Sequence, residues 1–210
     1  MKWHYFPGKS TASLCVFYTG WGMDDHVFER FMGERDTLIV WDYTDLSTPL
    51  PLEDRPIEVL AWSMGVWAAQ QTCPTAHLQS ATAVNGTPWP IDETRGIPPA
   101  IFDGTLTTYS EAGLARFRKR MCGGVAALTE FMAHAPQRTT EDLGAELAAL
   151  GEAIRTRPEV AFPWTRAIGC TQDRIFPIAA QKAAFPDLIE CTGAHWQPNL
   201  FETLLKGRPL

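Results

Sequence analysis

The sequence predicts an α/β fold: a mostly parallel sheet covered by helices on both faces, with a block of helices inserted before the last strands. Three observations carry that expectation. The apolar runs of the first third are continuous rather than alternating, which suits strands buried on both faces. Each run ends in small or polar residues and is followed by a turn or a helical pattern. A long helix-forming stretch then separates these runs from two later ones.

The predicted strands cover residues 14–18, 38–41 and 57–62, then residues 81–84, which lead into Asn85-Gly86-Thr87-Pro88. Residues 26–32 read as a short helix. Residues 64–71 (MGVWAAQQ) lack proline, are rich in helix formers and are followed by Pro74. Beyond Trp89, the prolines at 90, 98 and 99 predict a loop, and residues 110–121, 125–134 and 140–155 predict helices. Ser110 and Thr140 stand at helix starts with acidic residues in the first turn. Strands resume at residues 164–170 and 188–191. The expected organisation is therefore a core of residues 1–88 and 159–210 with a helical cap insertion at residues 89–158.

Composition narrows the function. With 210 residues, 45% of them hydrophobic, the chain has enough apolar material for a single core, which excludes disorder as its main state. The net charge of −6 argues against a sequence-independent grip on nucleic acid. No apolar run approaches the roughly 18 to 20 residues of a membrane span, and the opening Met1-Lys2-Trp3-His4-Tyr5 lacks the apolar stretch of a secretory signal. A cytoplasmic monomer that contacts no membrane is the expectation. The five cysteines are scattered without a C-x-x-C pair, so they read as reduced and structural, and neither a metal nor an organic cofactor is expected.

The chemistry gathers around Ala61-Trp62-Ser63-Met64-Gly65, between a predicted strand and a predicted helix. This is the setting of a nucleophile elbow, G-x-S-x-G, with Ala61 in place of the first glycine. Capping the following helix is the other role open to Ser63. A serine nucleophile needs a base held in one tautomer by a carboxylate, in the chain order Ser, Asp, His. Of the five histidines, only His195 lies beyond the last predicted strand, in Thr192-Gly193-Ala194-His195-Trp196. Asp173 follows the strand before it, in a loop where an ordinary turn aspartate would also sit. Asp42 and Asp45 precede Ser63 and break the order. For the developing oxyanion, the backbone N–H groups of Trp21 and Met64 are the candidates. Gly20 and Gly22 would allow close approach of the loop to substrate.

Together these residues resemble the α/β-hydrolase family. The segments Phe17-Tyr18-Thr19-Gly20-Trp21-Gly22-Met23, Ala61-Trp62-Ser63-Met64-Gly65 and Asn85-Gly86-Thr87-Pro88-Trp89-Pro90, with residues 91–106 (IDETRGIPPAIFDGTL), resemble the BioG type of pimeloyl-acyl-carrier-protein methyl ester esterase. The resemblance implies cleavage of that methyl ester in biotin precursor synthesis, with an acyl carrier protein as the partner that bears the substrate. Thioesterase or broad carboxylesterase activity on the same scaffold is the rival reading, and a non-catalytic carrier-binding module is another. Arg116, Arg118, Lys119 and Arg120 form a cationic cluster in an otherwise acidic chain, suited either to docking that carrier or to a solvated helix face. Arg116, Lys119 and Arg120 are expected on one face, with Arg155 and Arg157 as extensions. Gly20, Trp62, Phe117 and Phe131 are candidates for the substrate channel; the aromatics serve equally well as core.

Overall fold

Seven strands form one sheet in the order β1-β3-β2-β4-β5-β6-β7, in a computed structural model that describes residues 1–52 and 54–209. The strands are β1 (Lys2–Phe6), β2 (Ser10–Tyr18), β3 (Arg35–Trp41), β4 (Ile57–Trp62), β5 (Leu78–Val84), β6 (Arg166–Cys170) and β7 (Ile189–Cys191). Only β1 is antiparallel to its neighbour; every other adjacent pair is parallel. The continuous apolar runs are buried as expected, since helices cover both faces of a parallel sheet. Strand β1 escapes that sequence signal because its KWHYF side chains sit on an exposed edge, held to β3 by the backbone ladder.

Helix α1 (Met64–Thr72) follows β4 directly. Between β5 and β6 lie α2 (Pro99–Thr107), α3 (Glu111–Cys122), α4 (Val125–Met132) and α5 (Thr140–Thr156). Helices α6 (Ile178–Ala184) and α7 (Pro198–Leu205) flank β7. Ser110 caps α3 by accepting the Gly113 N–H at 3.2 Å, and Gly123, at φ +74°, ends it in the left-handed conformation that glycine tolerates best. The cap of α5 is Thr139 rather than Thr140, accepting the Asp142 N–H at 3.1 Å.

Two sequence expectations are corrected. Residues 26–32 are not an α-helix but two single 3₁₀ turns, Asp25–Val27 and Glu29–Phe31, a stretch too short to repay helix nucleation. The proline-rich loop before residue 110 contains α2, whose Pro99 occupies the first helical turn, where a missing N–H costs nothing.

One contiguous core runs from the sheet into the helical block, taking in Phe102, Leu114, Phe131, Leu143, Leu147 and Leu150. All five cysteines are free, and Cys170 and Cys191 are paired in register across β6 and β7. Among the described residues no helix is long and apolar enough to cross a membrane.

Candidate active site

Parallel strands all end at the same edge of a sheet, and four loops meet at this one. Residues 19–23 follow β2, Ser63 follows β4, Asp173 follows β6 and His195 follows β7. Because β2 lies beside β4, the first of these loops faces the serine turn directly.

Ser63 sits at φ 59°, ψ −127°, a conformation rarely adopted by a side-chain-bearing residue and costing roughly 1–3 kcal/mol. Close packing holds it there. A Cβ on Gly65 would meet the Thr19 carbonyl oxygen at 2.3 Å, and one on Gly86 would meet the Ser63 carbonyl oxygen at 2.3 Å. Only glycine fits at either position. Ala61, at the first position of the motif, is fully buried and paired in register with Tyr18 and Ala83.

The structure brings Ser63, His195 and Asp173 into one chain of contacts. His195 Nε2 lies 3.0 Å from Ser63 Oγ, and His195 Nδ1 lies 2.7 Å from Asp173 Oδ2. Their exposures are 5%, 1% and 8%, so bulk water competes little for these bonds. The other carboxylate oxygen, Asp173 Oδ1, accepts the N–H groups of Ile175 at 2.7 Å and Phe176 at 2.9 Å. Gln181 Nε2 donates to Asp173 Oδ2 at 3.3 Å and to the Phe176 carbonyl at 2.7 Å. With Nδ1–H directed at the carboxylate, Nε2 is left as the acceptor for the serine proton. The imidazole stacks on Phe176, ring centroids 6.1 Å apart and 11° between planes, and packs against Trp62 at 5.1 Å.

Asn85 is a supporting residue that the sequence marked only as part of a motif. At φ 45° it turns the chain after β5, in a region that asparagine tolerates better than most residues. Its Nδ2 donates to the His195 carbonyl at 3.0 Å, while its Oδ1 accepts the Cys170 N–H at 2.7 Å. One side chain thus ties the imidazole loop to the end of β6. On the far side, the Trp196 N–H donates to the Met121 carbonyl at 3.0 Å and Trp196 Nε1 donates to Glu130 Oε2 at 3.1 Å, fixing the same loop to α3 and α4.

A narrow cavity of about 50 Å³ opens on the serine. Gly20, Trp21, Trp62, Ser63, Met64 and His195 form its floor; Ile97, Phe102, Phe117 and Met121 are among its apolar walls. The backbone N–H groups of Trp21 and Met64 bond to no protein acceptor among the described residues. A larger vestibule of about 510 Å³ adjoins it between α2 and α3, and Trp21, Ile101, Thr105, Phe117 and Arg120 line both spaces. The rings of Trp21 and Phe117 meet edge to face at 5.0 Å where the two spaces join.

Other predicted residues fall elsewhere. Phe131 does not line the cavity; it is fully buried and packs on Trp196 at 5.2 Å. Of the cationic cluster, Arg116 and Arg120 line the vestibule and have no carboxylate partner among the described residues. Gly113, Arg116, Phe117 and Arg120 of α3 line the vestibule, whereas Lys119 is not among its lining residues. Arg118 lines a separate groove with Glu111 and Leu128. Arg155 is engaged with Asp103 at 2.5 Å and lies over the Phe102 ring.

The chain matches, over residues 1–205, the family described as "Pimeloyl-ACP methyl esterase BioG". It belongs to the BioG family. A Bacteroides fragilis relative named malonyl-[acyl-carrier protein] O-methyltransferase is 41% identical over 196 residues, spanning 89% of this chain but only 40% of that longer protein. The crystal structure of BioG from Haemophilus influenzae is 32% identical with a TM-score of 0.86, over 96% of this chain and 97% of that one. At 10% identity, a lipase-esterase related protein from Clostridium acetobutylicum shares the fold with a TM-score of 0.65, over 99% of both chains. The architecture of this BioG-family chain is that of the α/β hydrolases.

Proposed function

We propose that this chain hydrolyses the methyl ester of a pimeloyl group carried on acyl carrier protein, the step that ends assembly of the biotin precursor chain, by a serine acyl-enzyme route. The observation that carries the mechanism is the buried relay from Ser63 Oγ to His195 Nε2 at 3.0 Å and from His195 Nδ1 to Asp173 at 2.7 Å. Family membership supports the substrate.

In the first half-reaction Ser63 Oγ attacks the ester carbonyl carbon while His195 Nε2 takes the hydroxyl proton. The carbonyl oxygen becomes an oxyanion received by the Trp21 and Met64 N–H groups. As the tetrahedral intermediate collapses, the C–O bond to the methoxy group breaks and the imidazolium gives its proton to departing methanol. Water, deprotonated by His195, then attacks the acyl-serine and releases the ω-carboxylate. Asp173 keeps the ring in the productive tautomer and stabilises the transient imidazolium.

The substrate has a distal ester and a thioester to the carrier, and the enzyme must deliver the former. Residues 89–158 act in this reading as the cap that makes the choice. The carrier docks at the vestibule rim against Arg116 and Arg120, and its acyl arm passes the Trp21–Phe117 constriction to reach Ser63. Arg118 and Lys119 add to the local positive potential without lining the channel.

The deciding experiment follows methanol release from pimeloyl-carrier methyl ester by the purified protein and by Ser63→Ala. The wild type releases methanol, and the folded variant is slower by about 10⁶-fold. Preferential cleavage of the thioester, or retained turnover in the variant, overturns the proposal.

A further inference from the structure

Glu146 on α5 is a charged side chain for which the reaction above has no use, and it is wholly buried. A carboxylate out of water requires compensating donors, and the donors here trace a path to the catalytic floor. Its Oε1 accepts the Tyr43 N–H at 3.0 Å. Its Oε2 accepts the Gly22 N–H at 3.2 Å and Arg138 Nη1 at 2.6 Å. Arg138, whose side chain is only 7% exposed, also donates from Nη1 to the Met23 carbonyl at 3.3 Å and holds Nη2 3.3 Å from Asp42. Burial pushes the Glu146 pKa up, and the Arg138 charge opposes it.

The loop of residues 19–23 is therefore gripped along its length. Tyr43 Oη donates to the Thr19 carbonyl at 2.7 Å, Trp21 Nε1 donates to the Leu143 carbonyl at 2.9 Å, and Gly22 and Met23 are tied to the Glu146–Arg138 pair. Apart from the first, these holds come from α5 and from Arg138 just before it. Gly22 stands at φ +77° and has no side chain to pack, so its N–H to Glu146 is its direct polar restraint. The peptide it restrains is the one next to Trp21, a residue that lines the serine cavity and whose own N–H meets no protein acceptor among the described residues.

We infer that Glu146 is a positioning residue for oxyanion binding: by holding the Gly22 peptide it aims the Trp21 N–H, and the helical block thereby completes the catalytic floor as well as roofing it. The inference rests on the esterase reading above. A carboxylate is required because its two oxygens must accept from three donors on different sides. Glutamine would turn an NH₂ group toward one of them.

The test uses the full-length protein, a p-nitrophenyl ester of a short acid, and a trifluoromethyl ketone that adds to the serine and presents an oxyanion. In Glu146→Gln, kcat falls about 10- to 100-fold with KM within about threefold, and ketone affinity weakens in step with kcat/KM. Should that variant not fold, Glu146→Leu with Arg138→Met replaces the buried pair by apolar side chains, an exchange that often preserves stability, and the same loss is expected. A folded variant that keeps both kcat and ketone affinity within about twofold overturns the inference. So does a loss that merely tracks the unfolded fraction in a thermal melt, or failure of both variants to fold, since each assigns Glu146 to the fold alone. A wild type without Ser63-dependent hydrolysis overturns the esterase reading and this inference with it, whereas an active wild type with unaltered variants overturns this inference only.

Discussion

At the floor of the site the key polar groups are buried and partnered within the protein: Asp173 accepts from two backbone N–H groups, Gln181 and the imidazole, and the imidazole reaches the serine. The vestibule a few residues away is different. Arg116 and Arg120 are exposed there and meet no carboxylate among the described residues. Groups that must hold a geometry to a few tenths of an ångström are shielded from water, where hydrogen bonds are strongest and reorganisation is least. In the proposed reading, groups that would meet the carrier stay hydrated and unpaired, so that docking would not first have to break an internal ion pair.

The contrast sharpens into measurements. The largest effect is expected at the floor. Asp173→Asn preserves the size of the side chain but presents an amide where the imidazole N–H needs an acceptor, and kcat on any ester substrate falls about 10⁴-fold. A loss of similar size on a carrier-bound ester and on a small soluble one places that residue with the chemistry. At the rim, Arg116→Glu with Arg120→Glu raises KM for the carrier-bound ester by about 10- to 100-fold and leaves a small ester nearly untouched. The penalty shrinks as salt is added; equal loss on both substrates removes the docking role.

The smallest effect lies outside both regions, in the loop leading from β5 to α2. Asp92 accepts the N–H groups of Thr94 at 2.9 Å and Arg95 at 2.8 Å, and Arg95 stacks over Trp89 at 3.9 Å. Partial burial raises the Asp92 pKa, but these backbone donors and the Arg95 and Thr94 side chains outweigh it and set the group at about 2. A depressed carboxylate pKa stabilises the fold above its unfolded value of 3.8 and loses that contribution as pH falls toward 2. Asp92→Asn therefore lowers stability by about 1–2 kcal/mol at neutral pH. Denaturant melts of the two proteins converge between pH 4 and 2, and a gap that persists at pH 2 counts against the ionised turn.

Much of this arrangement was legible in the chain. Continuous apolar runs announce parallel strands, and a serine between strand and helix, with an aspartate and a histidine beyond later strands, follows from the order of the elements. The helices that escaped share a feature. Helices α2 and α7 open on a proline in their first turn and α6 begins just after Pro177; Pro99, read as part of a loop, is the first residue of α2. The supports escaped for another reason. Glu146 looks like one more solvent-facing acid on an amphipathic helix until α5 is docked on the loop of residues 19–23. Asn85 likewise looks like a turn residue until β6 and the imidazole loop stand on either side of it. Side chains that work by bridging distant segments leave no local pattern. Phe131 erred in the other direction: an aromatic on an inserted helix suits a channel wall and a packing core equally well, and only the neighbouring Trp196 distinguishes them.

The chain order of the sheet also has a temporal side. Strands β6 and β7, at whose ends the carboxylate and the imidazole stand, come after the whole helical block. During synthesis on the ribosome, a growing polypeptide emerges with its serine turn and the four helices between β5 and β6 before Asp173 and His195 exist, so the chain of contacts from Ser63 to Asp173 is incomplete until the far edge of the sheet has been laid down.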